Sequence, residues 1–234
     1  MMKKLLVLML ICLLCSCATA NKDASQAVTN EQKTESLRSK LSGDSIESMW
    51  GKLSGDSVGA DIQIFSQVVV FQLPRPFVPA YRNQKQGTFI IEFVPAGESV
   101  EKWSKMLTLI GYQDLAAFEA GIPGVFSRSM AGKFRSLCPD TFSSLELGKT
   151  KIDGYEAMAT VMGCGESAMT KGLNSEIALM ITIKGEKDLY SIQWAERGQV
   201  SNRPLPIDER VWRAKLEKMK PIKLLPLLES SSNK

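Results

Sequence analysis

Apolar positions divide this chain into two textures. From residue 18 to about 60 they are sparse: Leu37, Leu41, Ile46, Met49, Trp50 and Leu53 stand apart among Ser, Lys, Asn, Gln, Asp and Gly. Such a composition buries too little surface to offset the entropy of ordering it. The segment therefore reads as a tether with, at most, a short amphipathic helix around Leu37–Trp50. From residue 61 the apolar positions become dense and periodic. Gln67–Leu73 (QVVVFQL) is β-branched and aromatic and predicts a strand ended by Pro74. Pro74, Pro76 and Pro79 then predict a stiff loop. Thr88–Val94 (TFIIEFV) predicts a second strand, stopped at Pro95-Ala96-Gly97.

Ser99 is placed as the N-cap of a helix carrying Val100, Trp103, Met106, Leu107 and Ile110 at a 3.6-residue period, with Gly111 as its stop. Asp114 caps a short turn through Leu115 and Phe118. A second helix opens on Pro123, lays Phe126, Met130, Phe134 and Leu137 on one stripe, and ends at Cys138-Pro139. The second half is strand-rich. Phe142–Lys149 and Tyr155–Gly163 flank Asp153-Gly154, a strong hairpin signal. Glu176–Lys184 and Leu189–Ala195 form another hairpin about Gly185–Asp188. A last helix is capped by Asp208, carries Val211, Trp212, Leu216 and Met219, and is broken by Pro221. The apolar tail Ile222–Leu228 docks against the sheet. The order β-β-α-α-β-β-β-β-α with hairpin connections predicts an α+β fold, a single antiparallel sheet packed by two or three helices. Trp103, Trp194 and Trp212 fall at core positions.

The run EFVPAGESVEKWSKMLTL, a helix ending in Cys-Pro, IDGYEAMATVMGC, the hairpin EIALMITIKGEKDLYSIQWAER and a closing helix with Trp212 together resemble exported bacterial proteins of the PsbP-like and DcrB-like group. The likeness covers roughly residues 67–220 and rests on element pattern. It implies an α+β body serving as a binding or assembly module within larger complexes. It transfers no catalytic residue.

The N-terminus changes the picture of where this body sits. Met1–Lys4 make a positive n-region and Leu5–Leu14 an apolar run of about ten residues, half of the roughly 20 needed to span a bilayer. Leu14-Cys15-Ser16-Cys17 resembles a lipobox with Cys17 as the acylated residue, whereas Ala18-Thr19-Ala20 would suit ordinary secretion with cleavage before Asn21. Cys17 is the favoured reading. Its acyl chains, at about 0.8 kcal/mol per buried CH₂, would anchor the chain stably. Ala18, where a retention signal would place Asp, points to the outer membrane, facing the periplasm. The organisation that results is a lipoprotein signal peptide over 1–16, a lipidated Cys and polar tether over 17–60, an α+β globular domain over 61–228 and a disordered tail over 229–234. A tether of that length spans about 35 Å on average.

Charge and chemistry mostly exclude. Loss of Lys3 and Lys4 lowers the 29 basic residues to 27 against 25 acidic ones, a balance with no particular pull toward nucleic acid. KLSGDS occurs at 40–45 and again at 52–57, the first copy continuing as GDSI, which looks like the nucleophile block of the GDSL hydrolases. The sequence contains no histidine, so a Ser-His-Asp arrangement cannot be built, and a Ser-Lys pair would need a desolvated Lys in a very polar neighbourhood. The serines are bystanders. Glu92, Glu98 and Glu101 lie near one junction but suit a helix start better than acid–base work.

Cys138 and Cys164, an even pair in an exported body, suggest a disulfide, with two buried thiols as the alternative. Arg128, Lys133 and Arg135 form a basic group on the second helix, and Trp50 is an indole in the tether. These four are the candidates for partner contact, although a solvated helix face is the simpler account of the basic three. No catalytic residue, cofactor or metal ligand is assigned. The expected role is that of a membrane-anchored periplasmic lipoprotein, not an enzyme, whose body binds another envelope protein as an accessory piece of a secretion or transport assembly. A periplasmic small-ligand or lipid-binding protein is the alternative, and a hydrolase without histidine the minor one.

Overall fold

A computed structural model describes residues 56–227. Ten strands and two α-helices make up most of this region, and all strand pairs are antiparallel. In chain order these are β1 (Ser57–Ile64), β2 (Gln67–Pro74), β3 (Phe77–Lys85), β4 (Thr88–Pro95), β5 (Lys105–Tyr112), α1 (Pro123–Leu137), β6 (Phe142–Ile152), β7 (Tyr155–Cys164), β8 (Ser175–Lys184), β9 (Leu189–Gly198), α2 (Glu209–Lys218) and β10 (Lys223–Pro226). They form two sheets rather than the single one expected: a seven-stranded sheet of order β3-β4-β5-β9-β8-β7-β6 and a three-stranded sheet of order β1-β2-β10.

The small sheet and α2 cover one face of the large one. A single buried cluster joins Ile62, Val69 and Phe71 to Leu109, Leu179 and Ile192, and takes in Trp212 and Leu216 of α2. On the other face lies α1, where the Ser127 and Thr182 hydroxyls approach to 3.4 Å. A disulfide joins Cys138, the C-cap of α1, to Cys164 at the end of β7. Asp188 ties the small sheet to the large one. It accepts from the Ser66 amide (3.0 Å) and hydroxyl (2.5 Å), the Asp114 amide (2.7 Å) and the Tyr190 hydroxyl (3.2 Å). Burial works to raise this carboxyl, but those hydrogen bonds outweigh it and hold it below the ordinary range.

Most predicted elements are present. β2, β4, α1 and the hairpins β6–β7 and β8–β9 lie where the pattern put them, and Asp153 and Gly154 both take the positive φ that a tight hairpin needs. Asp208 caps α2 by accepting from the Arg210 amide at 2.9 Å, and the tail after Pro221 docks as β10 along β2.

Other expectations fail. The helix placed over Ser99–Ile110 is instead a loop followed by β5. Both faces of β5 are buried from Met106 to Tyr112, so its apolar run is continuous and mimics helical spacing. Gly111 is no helix stop, since a Cβ there would lie 2.4 Å from Ile64 Cγ2, and the close approach of the small sheet demands glycine. The proline-rich loop shrinks to the Arg75-Pro76 turn, and Pro79 lies in β3, an edge strand, at a register irregularity where a missing amide costs nothing. Residues 57–60, assigned to the tether, belong to β1, whose buried Val58, Ile62 and Ile64 alternate with polar positions. Leu137, placed on the buried stripe of α1, is exposed, because Cys138 turns the chain away after Phe134 has docked.

Candidate functional site

Strand register gathers an unusual set of side chains at one end of the large sheet. Phe142 pairs with Cys164, Cys164 with Glu176, and Glu176 with Arg197. Directly opposed residues share a face, so the four form a row on the α1 side. The Arg197 Nε donates to Glu176 Oε2 at 3.2 Å, both side chains being largely buried. The Arg197 guanidinium also lies 3.7 Å from the centroid of the Trp103 ring, a stacked cation–π contact.

Trp103 is brought there by the loop before β5. Ser99 and Lys102 exchange backbone hydrogen bonds at 3.0 and 3.1 Å. Glu98 then accepts from the Ser104 amide (2.6 Å) and hydroxyl (2.7 Å). With the loop closed, Trp103 packs over Val94, Met106, Ala178 and Ala195. The Arg197 amide donates to the Ser104 carbonyl at 2.9 Å, extending the β5–β9 ladder up to the stack.

The electrostatics are those of a crowded, water-poor site. Burial pushes the Glu176 carboxyl up, and the charge and hydrogen bond of Arg197 oppose that rise. Glu92, inside β4, is raised from 4.5 to about 7, again chiefly by burial, with Arg197 pulling it down and Glu101 adding to the rise. An open cleft of about 580 Å³ begins at the Trp103–Arg197 stack. Leu173 and Val200 stand on its rim, 76% and 52% exposed. What such a cleft can do is bind: it has a planar cation fixed against an indole, a hydrogen-bonding Asn174 and two apolar posts.

The residues predicted for function are only partly assembled here. Cys138 and Cys164 meet as a disulfide in the same row. Arg128 and Arg135 are exposed on α1 and Lys133 is half-buried, with burial pushing its amine down. Arg135 stacks on Phe142 at 5.0 Å, which brings it to the end of this row, while Arg128 and Lys133 make no ion pair among the described residues. Cys17 and Trp50 lie outside the described residues. Of the acidic trio, Glu98 locks the loop, Glu92 is buried in the sheet and Glu101 is exposed. Sequence reasoning missed Arg197, Glu176, Leu173 and Val200. None belongs to a motif, and they become neighbours only through β8–β9 register.

No protein-family model matches the chain, and no curated protein sequence matches it. Solved structures similar to it include the Ran-binding protein Mog1p of Saccharomyces cerevisiae, at 11% identity and TM-score 0.43, covering 70% of this chain and 93% of that one. They also include the cyanobacterial PsbP protein CyanoP from Synechocystis, at 10% identity and TM-score 0.38, covering 62% and 84%. CyanoP bears the name of the group that the sequence pattern resembles. At these scores neither likeness carries an argument about fold or function.

Proposed function

We propose that this chain is a lipid-anchored protein of the bacterial cell envelope, held by Cys17 and facing the periplasm, whose body acts as a protein-binding accessory module and not as an enzyme. The observation that carries the reading is the cleft at the Trp103–Arg197 stack, with Leu173 and Val200 exposed on its rim. Tryptophan and arginine are the residue types that most often dominate protein–protein binding energy, and exposed apolar posts beside them are what a partner covers. The remaining donors of Arg197 suit a carboxylate on that partner. The histidine-free sequence and the lipobox-like stretch ending at Cys17 support an anchored binder over a hydrolase.

The test is photo-crosslinking in cells from positions 173 and 200 of the acylated chain. A single envelope protein should be captured from both positions, and the pairing should be lost in Leu173→Asp and Val200→Asp. Capture that survives both substitutions would refute the binding face. The anchor is tested separately by flotation with membranes, which Cys17→Ser should abolish.

A further inference from the structure

A second cleft, of about 770 Å³, opens at the same end of the large sheet but on the opposite face, beneath α2. Ser104 borders both clefts. The wall and floor of this one are apolar: Pro74, Pro76 and Pro95 line it, and Phe77 meets Trp194 edge-on at 5.6 Å. Its rim is cationic. Arg75 arrives from the β2–β3 connection, Lys105 from the start of β5, and Lys218 and Lys220 from the end of α2, against Asp56 and Glu217. Glu217 is taken by Lys220 at 2.7 Å. Among the described residues, Arg75, Lys105 and Lys218 have no carboxylate within ion-pair distance.

Lysines at the end of a helix are ordinarily explained by its dipole. That account covers Lys218 and Lys220 but not Arg75 or Lys105, which come from two other elements and converge on the same opening. We propose that this cleft binds a phosphate-bearing amphiphile, with the phosphate held between Arg75, Lys105 and Lys218 and the carbon part laid on the Phe77–Trp194 floor. The volume lies within the range of small-molecule sites. The source is the headgroup of a membrane phospholipid. Asp56 is on the cleft rim, so the chain that leads back to Cys17 enters the body beside this opening. The membrane source rests on the Cys17 anchor proposed above, while the phosphate chemistry does not.

The experiment is amine footprinting of the full acylated chain by mass spectrometry, with Lys149 and Lys151 on edge strand β6 as internal references. Four additions are compared: phosphatidylcholine vesicles, the same vesicles with phosphatidylglycerol, soluble glycerol phosphate, and an oligoglutamate peptide. The expected result is slower labelling of Lys105 and Lys218 with the anionic vesicles, unmatched at the reference lysines and absent with phosphatidylcholine alone. Arg75→Gln with Lys105→Gln should weaken binding to anionic vesicles roughly 25-fold, at about fivefold per cation removed. Lys149→Gln with Lys151→Gln removes the same charge elsewhere and should change it little.

Equal weakening in the two double variants would reduce the effect to general charge and overturn the site. Protection by oligoglutamate but not by vesicles would replace the lipid with an acidic protein segment and overturn it too. Protection by glycerol phosphate without protection by vesicles would remove the membrane source. Failure of the anchor alone shows differently: the native chain would not float with phosphatidylcholine vesicles, whatever the footprint with glycerol phosphate.

Discussion

Glu92 should make this protein less stable as pH rises. Its side chain is 5% exposed, and its Oε2 is buried with no hydrogen-bond partner among the described residues. Burial raises its pKa from 4.5 to about 7. Between those values the folded chain keeps a proton that the unfolded chain has released. The folded state then binds more protons, and the free energy of unfolding falls with rising pH. The stability is fully present below about 4.5 and lost as pH passes about 7. At about 1.36 kcal/mol per pH unit, the gap corresponds to about 3 kcal/mol, a large share of a typical stability of about 5–15 kcal/mol.

Glu92→Gln keeps the shape of the protonated acid and cannot ionise. It should match the parent at the acid end and exceed it by up to about 3 kcal/mol at about pH 8. Urea unfolding with the disulfide intact, repeated across that range, reads the difference directly. Glu176 is raised by burial as well and adds a pH slope common to both proteins, so the comparison isolates Glu92. Parallel stability curves for the two proteins would refute the reasoning, because they would mean that ionised Glu92 is solvated or paired.

Replacing Cys138 and Cys164 together with Ala should lower stability by about 3.5 kcal/mol in the chain-entropy picture, given their separation of 26 residues, and calorimetry would show it. Gly165→Ala should cost about 1–3 kcal/mol in denaturant unfolding, since its Cβ would fall 2.3 Å from the Arg203 carbonyl oxygen. Arg197→Leu strands Glu176 as a buried unpaired acid. It should cost about 3–5 kcal/mol near neutral pH, with part of the loss recovered when Glu176→Gln is added. No recovery in that double variant would mean that Arg197 acts through its stacking on Trp103 alone.

The fold was legible wherever a strand faced core on one side or a turn carried its own chemistry. Asp153-Gly154 announced the β6–β7 hairpin because the turn needs two residues of positive φ. Pro123 announced α1 because a helix start has no use for that amide. β5 was illegible for the opposite reason. Sandwiched between the small sheet and the Trp103 loop, it is buried on both faces, as β4 and β8 are. Its apolar residues, however, continue the Val100–Trp103 spacing at a helical period, and no proline or Asp-Gly turn marks its start. β3 hid behind prolines that only an edge position tolerates.

Misreading β5 as a helix also concealed the site. As a helix, Ser99–Ile110 would put Trp103 on an apolar stripe and leave Ser104 and Lys105 facing solvent. As a closed loop and strand, the same residues set Trp103 under Arg197 on one face and Lys105 beside Trp194 on the other, with Ser104 dividing the two clefts. The remaining members lie some seventy to one hundred residues farther along, and nothing local distinguishes them. Glu176 resembles any polar residue at a strand start, and Arg197 any charge at a strand end. Only the register Glu176–Arg197, continued to Ser104 through the Arg197 amide, turns them into a buried pair stacked against an indole. A chain with one sheet to predict has no reason to bring these residues together. A seven-stranded sheet with β5 between β4 and β9 does, because those neighbours must then end beside the loop that carries Trp103.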